Sequence, residues 1–483
     1  MRVFIPLLSF VLLVAQGIKA QNIQVIDNLL QAYNKNDLLD GAVLIAKGDD
    51  IIYENGFGHA SLEYTIPNTS KTKFRIASMT KIFTATLILQ LVDEGRINLN
   101  DKIGKYLKGL NSELGTSVSI KNLLQHTSGL EREYLSSDPS PKADFSTLEL
   151  VQLVNTNTRF LFPPSDSLSY SNAGYVLLAG VIENVTKQRY REVLQESIFS
   201  PLEMHDSGYE NSEKEMIPNL ATGYRLRLGT YLNTSSVGVS WIRGNGGIYS
   251  TVGDLFRFDR ALKRGQLLSK QSFELMFEKS FVYSSFAMQW QVFDSIAGFP
   301  KNSSRYALAR GASPTGFRTQ WITEVDGDFS VFILSNLDYC PRKEIAGKIF
   351  QALYNEKDIE MPRQSLAAKT LEILENADKE TAIDFLSQQK QEEEQAVSLA
   401  INELMELGFH KIRAEQALSA VDLFSIADAL FPNNPGILVS LSYAYLQSGK
   451  MEKARRLLDR VLQIAPEDSD AKEILAELQY FGF

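Results

Sequence analysis

Ser78-Met79-Thr80-Lys81 opens the run Ile82-Phe83-Thr84-Ala85-Thr86-Leu87-Ile88-Leu89-Gln90-Leu91-Val92, which is largely apolar and closes near Gly95. A run of this length without strand alternation predicts a buried helix, and on a helix a hydroxyl and an amine three positions apart share one face. A serine hydroxyl is a weak nucleophile, but a neighbouring lysine kept neutral by burial or by nearby cations can take its proton. The spacing alone decides nothing, because Ser70 with Lys73, Ser387 with Lys390 and Ser469 with Lys472 repeat it. The rest of the chain must single one pair out.

With 483 residues, 44% hydrophobic and 22% charged, the chain reads as globular, with two or three compact units. Its formal net charge of -9 argues against nucleic acid or an anionic membrane surface as partner. Residues 1–20 begin with Arg2, run through apolar residues 3–15 and end with Gly17 and Ala20, which reads as a secretory signal peptide cut after Gly17 or Ala20. An exported protein, periplasmic or secreted, is therefore expected. No later run reaches the roughly 20 apolar residues of a spanning helix, so no membrane span is expected after cleavage. Cys340 is the only cysteine, which leaves no disulfide and no lipid-bearing cysteine at a mature N-terminus. The four histidines (His59, His126, His205, His410) are scattered, and no metal or other cofactor is expected.

Residues 21–34 predict a helix. Residues 41–47 and 51–54, separated by Gly48-Asp49-Asp50, predict a hairpin. A long stretch, 100–265, holds helical pieces, the clearest at 172–186. Strand character returns at 305–310, 317–323 and 330–334, and a helix follows over 342–354. Strands at both ends with helices between predict one α/β unit over 21–355, an antiparallel sheet flanked by helices plus a helical subdomain, whose first and last segments meet. From about 356 the composition shifts to Ala, Leu, Glu, Lys and Gln, predicting a helical connector over 356–391. Over 392–483 an offset of 34 residues aligns Leu404 with Leu438, Leu407 with Leu441, Ala420 with Ala454, Phe424 with Leu458, Ala427 with Val461, and Pro432 with Pro466. That period resembles tetratricopeptide repeats, an all-α repeat domain with a possible protein partner. Stacked repeats need about three units, so the helices near 365–390 complete the stack, or it leans on the first unit.

Three further segments bear on Ser78. Tyr170-Ser171-Asn172 places a phenol able to share a lysine's proton beside an amide able to hold a substrate carbonyl. Leu123-Leu124-Gln125-His126-Thr127-Ser128-Gly129 reads as a loop whose polar groups satisfy each other. Arg310-Gly311-Ala312-Ser313 lies on a strand, with Arg310 and Ala312 on one face. No Gly-x-Ser-x-Gly elbow occurs, which disfavours a Ser-His-Asp hydrolase.

In order, these segments resemble the serine β-lactamase and penicillin-binding protein superfamily, and within it the class C β-lactamase-related hydrolases. The resemblance runs from about 36 to 354 and includes Phe74-Arg75-Ile76-Ala77-Ser78 and Gly246-Gly247-Ile248-Tyr249-Ser250 before Asp254. It implies that Ser78 attacks a carbonyl, that Lys81 and Tyr170 move its proton, that Asn172 positions the substrate, and that the amides of Ser78 and Ser313 hold the oxyanion. Where the family has Lys or His, any residue, then Gly, this chain has Arg310-Gly311-Ala312. Arg310 keeps a cation for a substrate carboxylate, whereas the Ala312 methyl is expected against the substrate, crowding a β-lactam. Ser165 after Pro164 replaces a usual Gly. Two readings stay open. One is an exported serine hydrolase forming an acyl-enzyme on amide, ester or β-lactam carbonyls, including D-amino-acid peptides or peptidoglycan-related substrates. The other is an inactive relative that binds protein through its repeats.

Overall fold

A computed structural model describes residues 20–135, 145–210, 212, 215–227, 230–234, 241–281, 288, 290–296, 298–300, 305–312, 315–356, 359–362 and 365–480. The expected leader lies outside them except for Ala20, the first residue of the helix Ala20–Lys35. The chain divides into two compact units, Met1–Tyr224 with Thr234–Met361, and Arg225–Asn233 with Pro362–Phe483. The break at 361 falls slightly beyond the composition shift near 356.

In the first unit the strand Gly41–Lys47 is apolar at almost every position because both its faces are covered. It pairs with Asp50–Phe57 on one side and Phe329–Ser335 on the other, Gly41 opposite Ser335 and Lys47 opposite Phe329. The two ends of the unit therefore meet in one sheet. Across it the order is Gln291–Phe293, Tyr306–Ala312, Arg318–Glu324, Phe329–Ser335, Gly41–Lys47, Asp50–Phe57, antiparallel throughout.

Alternation sorts the strand side chains between two cores. Val43, Ile45, Tyr306, Leu308, Ile322, Val331 and Ile333 pack with the helices Ala20–Lys35 and Arg342–Leu353. Ala42, Leu44, Ala307, Ala309, Trp321, Phe332 and Leu334 face the other core, which contains the helix Thr80–Asp93. This serine helix is buried nearly all round, polar Thr80, Lys81, Thr84 and Thr86 included, as its even apolar pattern requires. Packed into the same core are Thr147–Asn157, Asn172–Thr186 and Val252–Lys263. A small sheet of Phe74–Arg75, Ile248–Ser250 and Gly208–Tyr209 ties the start of the serine helix to the loop before Val252.

In the second unit the helices Glu394–Arg413, Ala417–Leu430, Pro435–Gln447, Met451–Ile464 and Ser469–Tyr480 follow the 34-residue period. Leu404 and Leu438, Ala420 and Ala454, Phe424 and Leu458, and Ala427 and Val461 are all fully buried. Leu366–Asn376 and Lys379–Glu392 join them, with Ala367, Ala382 and Leu386 sharing a core with Val397 and Leu404. The residues expected as a connector thus supply a helical pair to the stack. Among the described residues no helix is long and apolar enough to cross a membrane.

Candidate active site

The serine turn is held from both sides. Ile76 N–H donates to Ile248 O at 3.0 Å, and the Arg75 guanidinium grips Glu210 with two hydrogen bonds of 2.7 and 2.8 Å. Ala77 then adopts a left-handed φ of 48°, a conformation that costs an alanine about 1–2 kcal/mol. Ser78 lies on the 3₁₀ turn Ala77–Met79 rather than in the helix proper, and Lys81 lies in the first turn of Thr80–Asp93. The i+3 relation survives this change of helix type. Lys81 Nζ donates to Ser78 Oγ at 3.0 Å and to the Asn245 carbonyl at 2.9 Å. Ser78 is half-buried and reachable, whereas Lys81 is enclosed.

Tyr170 closes the constellation, its hydroxyl donating to Ser78 Oγ at 2.9 Å. The Lys81 ammonium sits 4.9 Å from the Tyr170 ring centre. On the phenol's face stacks the buried His126 imidazole, centroids 4.5 Å apart, whose Nδ1 accepts from Ser171 N–H at 3.1 Å. Burial pulls the Lys81 amine below the usual ammonium range, against the pull of Tyr170 and Glu133 and with that of Arg132. For Tyr170 burial acts upward, but Lys81, the hydrogen bond with Ser78 and Arg132 outweigh it and leave the phenol below its ordinary value. Both groups are shifted toward the proton-accepting form.

Ser171 caps the helix Asn172–Thr186 by accepting from Gly174 N–H at 3.2 Å. The cap places Asn172 beside Glu131-Arg132-Glu133, a run in which sequence reasoning found no candidate. Asn172 N–H donates to the Arg132 carbonyl at 2.8 Å, and Asn172 Nδ2 donates to Glu133 Oε1 at 2.7 Å. The Arg132 guanidinium lies 5.3 Å over the Tyr170 ring and donates through Nε to Glu133 Oε1 at 3.1 Å. Three adjacent charges read as an exposed loop, so only the fold shows that they border Tyr170. Asn245 was likewise missed, although Gly244-Asn245-Gly246-Gly247 is glycine-rich; Thr84 Oγ1 donates to Gly244 O at 2.6 Å and Thr80 Oγ1 accepts from Ile248 N–H at 3.2 Å, which clamps this loop to the serine helix.

The strand Tyr306–Ala312 departs from expectation in its facing. Arg310 and Ala312 do share a face, and both are exposed, but it is the face of Tyr306 and Leu308, covered by the terminal helices. Arg310 adds its charge to those of Arg318 and half-buried Arg342, whose guanidinium is lowered to about 10 by burial first and then, against the upward pull of Cys340, by these two cations. Gly311 faces the serine turn instead: a Cβ there would fall 2.2 Å from Ile76 O and 2.4 Å from Thr319 Oγ1. The Ala312 methyl therefore does not lie on the serine side. The reason is that the strand is apolar on both faces, so its alternation carried no polarity to show which face meets Ser78. Ser313 lies outside the described residues. Among the described residues no group of three or more His, Cys, Asp or Glu side chains is placed to hold a metal ion.

The beta-lactamase family profile matches residues 26–356, and a tetratricopeptide repeat profile matches residues 411–478. Penicillin-binding protein 4* of Bacillus subtilis is 30% identical over 325 residues, covering 64% of this chain and 71% of that protein. Among solved structures, the D-amino acid amidase of Ochrobactrum anthropi superposes with a TM-score of 0.60 at 21% identity, over 70% of this chain and 100% of that one. A beta-lactamase/D-alanine carboxypeptidase from Yersinia pestis gives a TM-score of 0.58 at 21% identity, over 69% and 99%. These two likenesses concern the fold.

Proposed function

The chain belongs to the beta-lactamase family of serine hydrolases, with tetratricopeptide-like repeats following the hydrolase unit, and on that premise we propose that it forms and hydrolyses an acyl-enzyme on Ser78. One observation carries the reading: Ser78 Oγ lies within 3.0 Å of both Lys81 Nζ and Tyr170 Oη, each with a lowered pKa. With Tyr170 as its phenolate, balanced by the Lys81 ammonium, the Ser78 proton passes along the 2.9 Å contact to Tyr170 as the Ser78 oxygen bonds to the substrate carbonyl carbon. The tetrahedral oxyanion takes the Ser78 amide and, by the family resemblance, the amide of Ser313; each such donor is worth about 3 kcal/mol. Collapse breaks the bond to the leaving nitrogen or oxygen, which takes the proton back. Water, deprotonated by the same pair, then cleaves the ester and restores Ser78. Asn172 orients the acyl group beside Tyr170.

Amides, esters and peptides of D-amino acids are the favoured substrates, supported by relatives named as a penicillin-binding protein, a D-amino acid amidase and a D-alanine carboxypeptidase. With the Ala312 methyl on the opposite sheet face, the steric objection to a β-lactam falls away. Arg310 shares that face, so it is not proposed as a carboxylate partner beside Ser78. The leader-like residues 1–20 support export, and the repeat unit supports a protein partner. The test is Ser78→Ala: turnover of p-nitrophenyl acetate and adduct formation with a fluorophosphonate should both vanish while the fold is kept. An adduct on another serine, or unchanged turnover, rules the reading out.

A further inference from the structure

Glu133 is an acceptor-only group and Asn172 is amphoteric, and their contact fixes how each is spent. A carboxylate cannot donate, so the 2.7 Å bond to Glu133 Oε1 must come from the Asn172 NH2. The same Oε1 also accepts from Arg132 Nε at 3.1 Å. The acceptors left over are Asn172 Oδ1 and Glu133 Oε2, which accept no hydrogen bond among the described residues. A carbonyl on the substrate would meet an oxygen rather than the amide donor that Asn172 was expected to offer. A group with several N–H donors and a positive charge matches both acceptors.

Position narrows the choice. Asn172 follows Tyr170 by two residues, Tyr170 Oη touches Ser78 Oγ, and the Glu133 charge is felt at Lys81. In an amino-acid amide or ester the α-nitrogen is two bonds from the carbonyl carbon that Ser78 attacks, so only acceptors beside Ser78 can reach it. We propose that Glu133, with Asn172 Oδ1, binds the free α-ammonium of the acyl donor and selects amino-acyl substrates with an unblocked amine. The proposal rests on the acyl-enzyme reading, and it names a specificity residue in a run that sequence analysis passed over.

The experiment compares kcat/KM for D-alanine p-nitroanilide with that for its N-acetyl derivative, alongside p-nitrophenyl acetate as an acyl donor without an amine. A charge-assisted hydrogen bond corresponds to roughly ten- to hundredfold in kcat/KM, so the free amine should be preferred by about that factor. The preference should shrink in Glu133→Gln, be partly kept in Glu133→Asp, and in the wild type fall as pH rises past the amine's pKa of about 8. A wild-type ratio at or below one overturns the proposal. So does a ratio untouched by Glu133→Gln, or preference for an N-succinyl donor, which would assign the mouth to Arg132. If the acetate ester is turned over in a Ser78-dependent way while neither anilide is, the proposal alone fails; if ester turnover does not need Ser78, the acyl-enzyme reading fails with it.

Discussion

The His126 imidazole stacks on the Tyr170 phenol, centroids 4.5 Å apart and planes 27° from parallel. Tyr170 has no regular secondary structure of its own, since it precedes the helix Asn172–Thr186, so the ring below and the Lys81 charge beside it set its direction. His126 also sits at a φ of 58°, which asparagine tolerates better than most residues. In His126→Asn the side-chain oxygen can still accept from Ser171 N–H, while the stacked ring is gone. We expect kcat on p-nitrophenyl acetate to fall about tenfold or more, because small misplacements of a proton-transfer group are costly, with the thermal midpoint changed by only a few degrees. An unchanged kcat would show that the ring has no part in holding Tyr170.

The pH profile should report Lys81 and Tyr170 as a pair rather than as single groups. The pair must have lost one proton before it can take one from Ser78, and both groups are lowered, so activity is present above the pair's apparent pKa and is lost as pH falls through it. Arg132 lowers both groups and Glu133 raises Lys81. Removing the cation in Arg132→Gln therefore raises the pair, and the acid limb of kcat/KM should move to higher pH. Glu133→Gln should move it the other way. A shift of the wrong sign in Arg132→Gln would mean that another group limits the acid side.

The parts of this structure written in sequence are those where one local pattern suffices. Gly48-Asp49 between two β-rich runs marked the first hairpin, and the 34-residue offset marked helices whose equivalent residues are buried together. Ser78 and Lys81 were adjacent by spacing alone, and they meet even though Ser78 lies on a 3₁₀ turn. What required three dimensions was facing and long-range approach. Tyr306 and Leu308 look no different in sequence from a pair facing Ser78, because Ala307 and Ala309 are apolar too and both sheet faces are covered. Arg132 and Glu133 carry charge without periodicity, which locally means only solvent.

Gly408 tests the repeat unit separately. A Cβ there would lie 2.2 Å from Cε1 of Phe424, a ring that is fully buried. Gly408→Ala gains about 1 kcal/mol of helix propensity, but overpacking costs about 1–3 kcal/mol, and a clash this short falls at the upper end. We expect a net loss of stability in the denaturation of the repeat unit and unaltered Ser78-dependent turnover. Greater stability in the variant would mean that the two helices separate without cost.

Gly311 and Ala312 offer the sharpest test, because the two readings of this strand assign opposite effects to neighbouring residues. The structure places Gly311 against the backbone that carries Ser78, with 2.2 Å between its missing Cβ and Ile76 O. That oxygen belongs to a turn fixed by Ile248 and by Thr319 Oγ1, which donates to it at 3.3 Å, so it cannot give way cheaply. Gly311→Ala must push the strand from the serine turn, costing about 1–3 kcal/mol in stability and, through displacement of the site, about a hundredfold in kcat. Ala312 is exposed on the other face, so Ala312→Gly should leave ester turnover within about twofold and should not raise nitrocefin turnover; exposed changes of this kind are worth within about 0.5 kcal/mol. If Ala312→Gly instead opened the enzyme to nitrocefin while Gly311→Ala was tolerated, the methyl would lie on the substrate side and the strand's facing would be the reverse of that described.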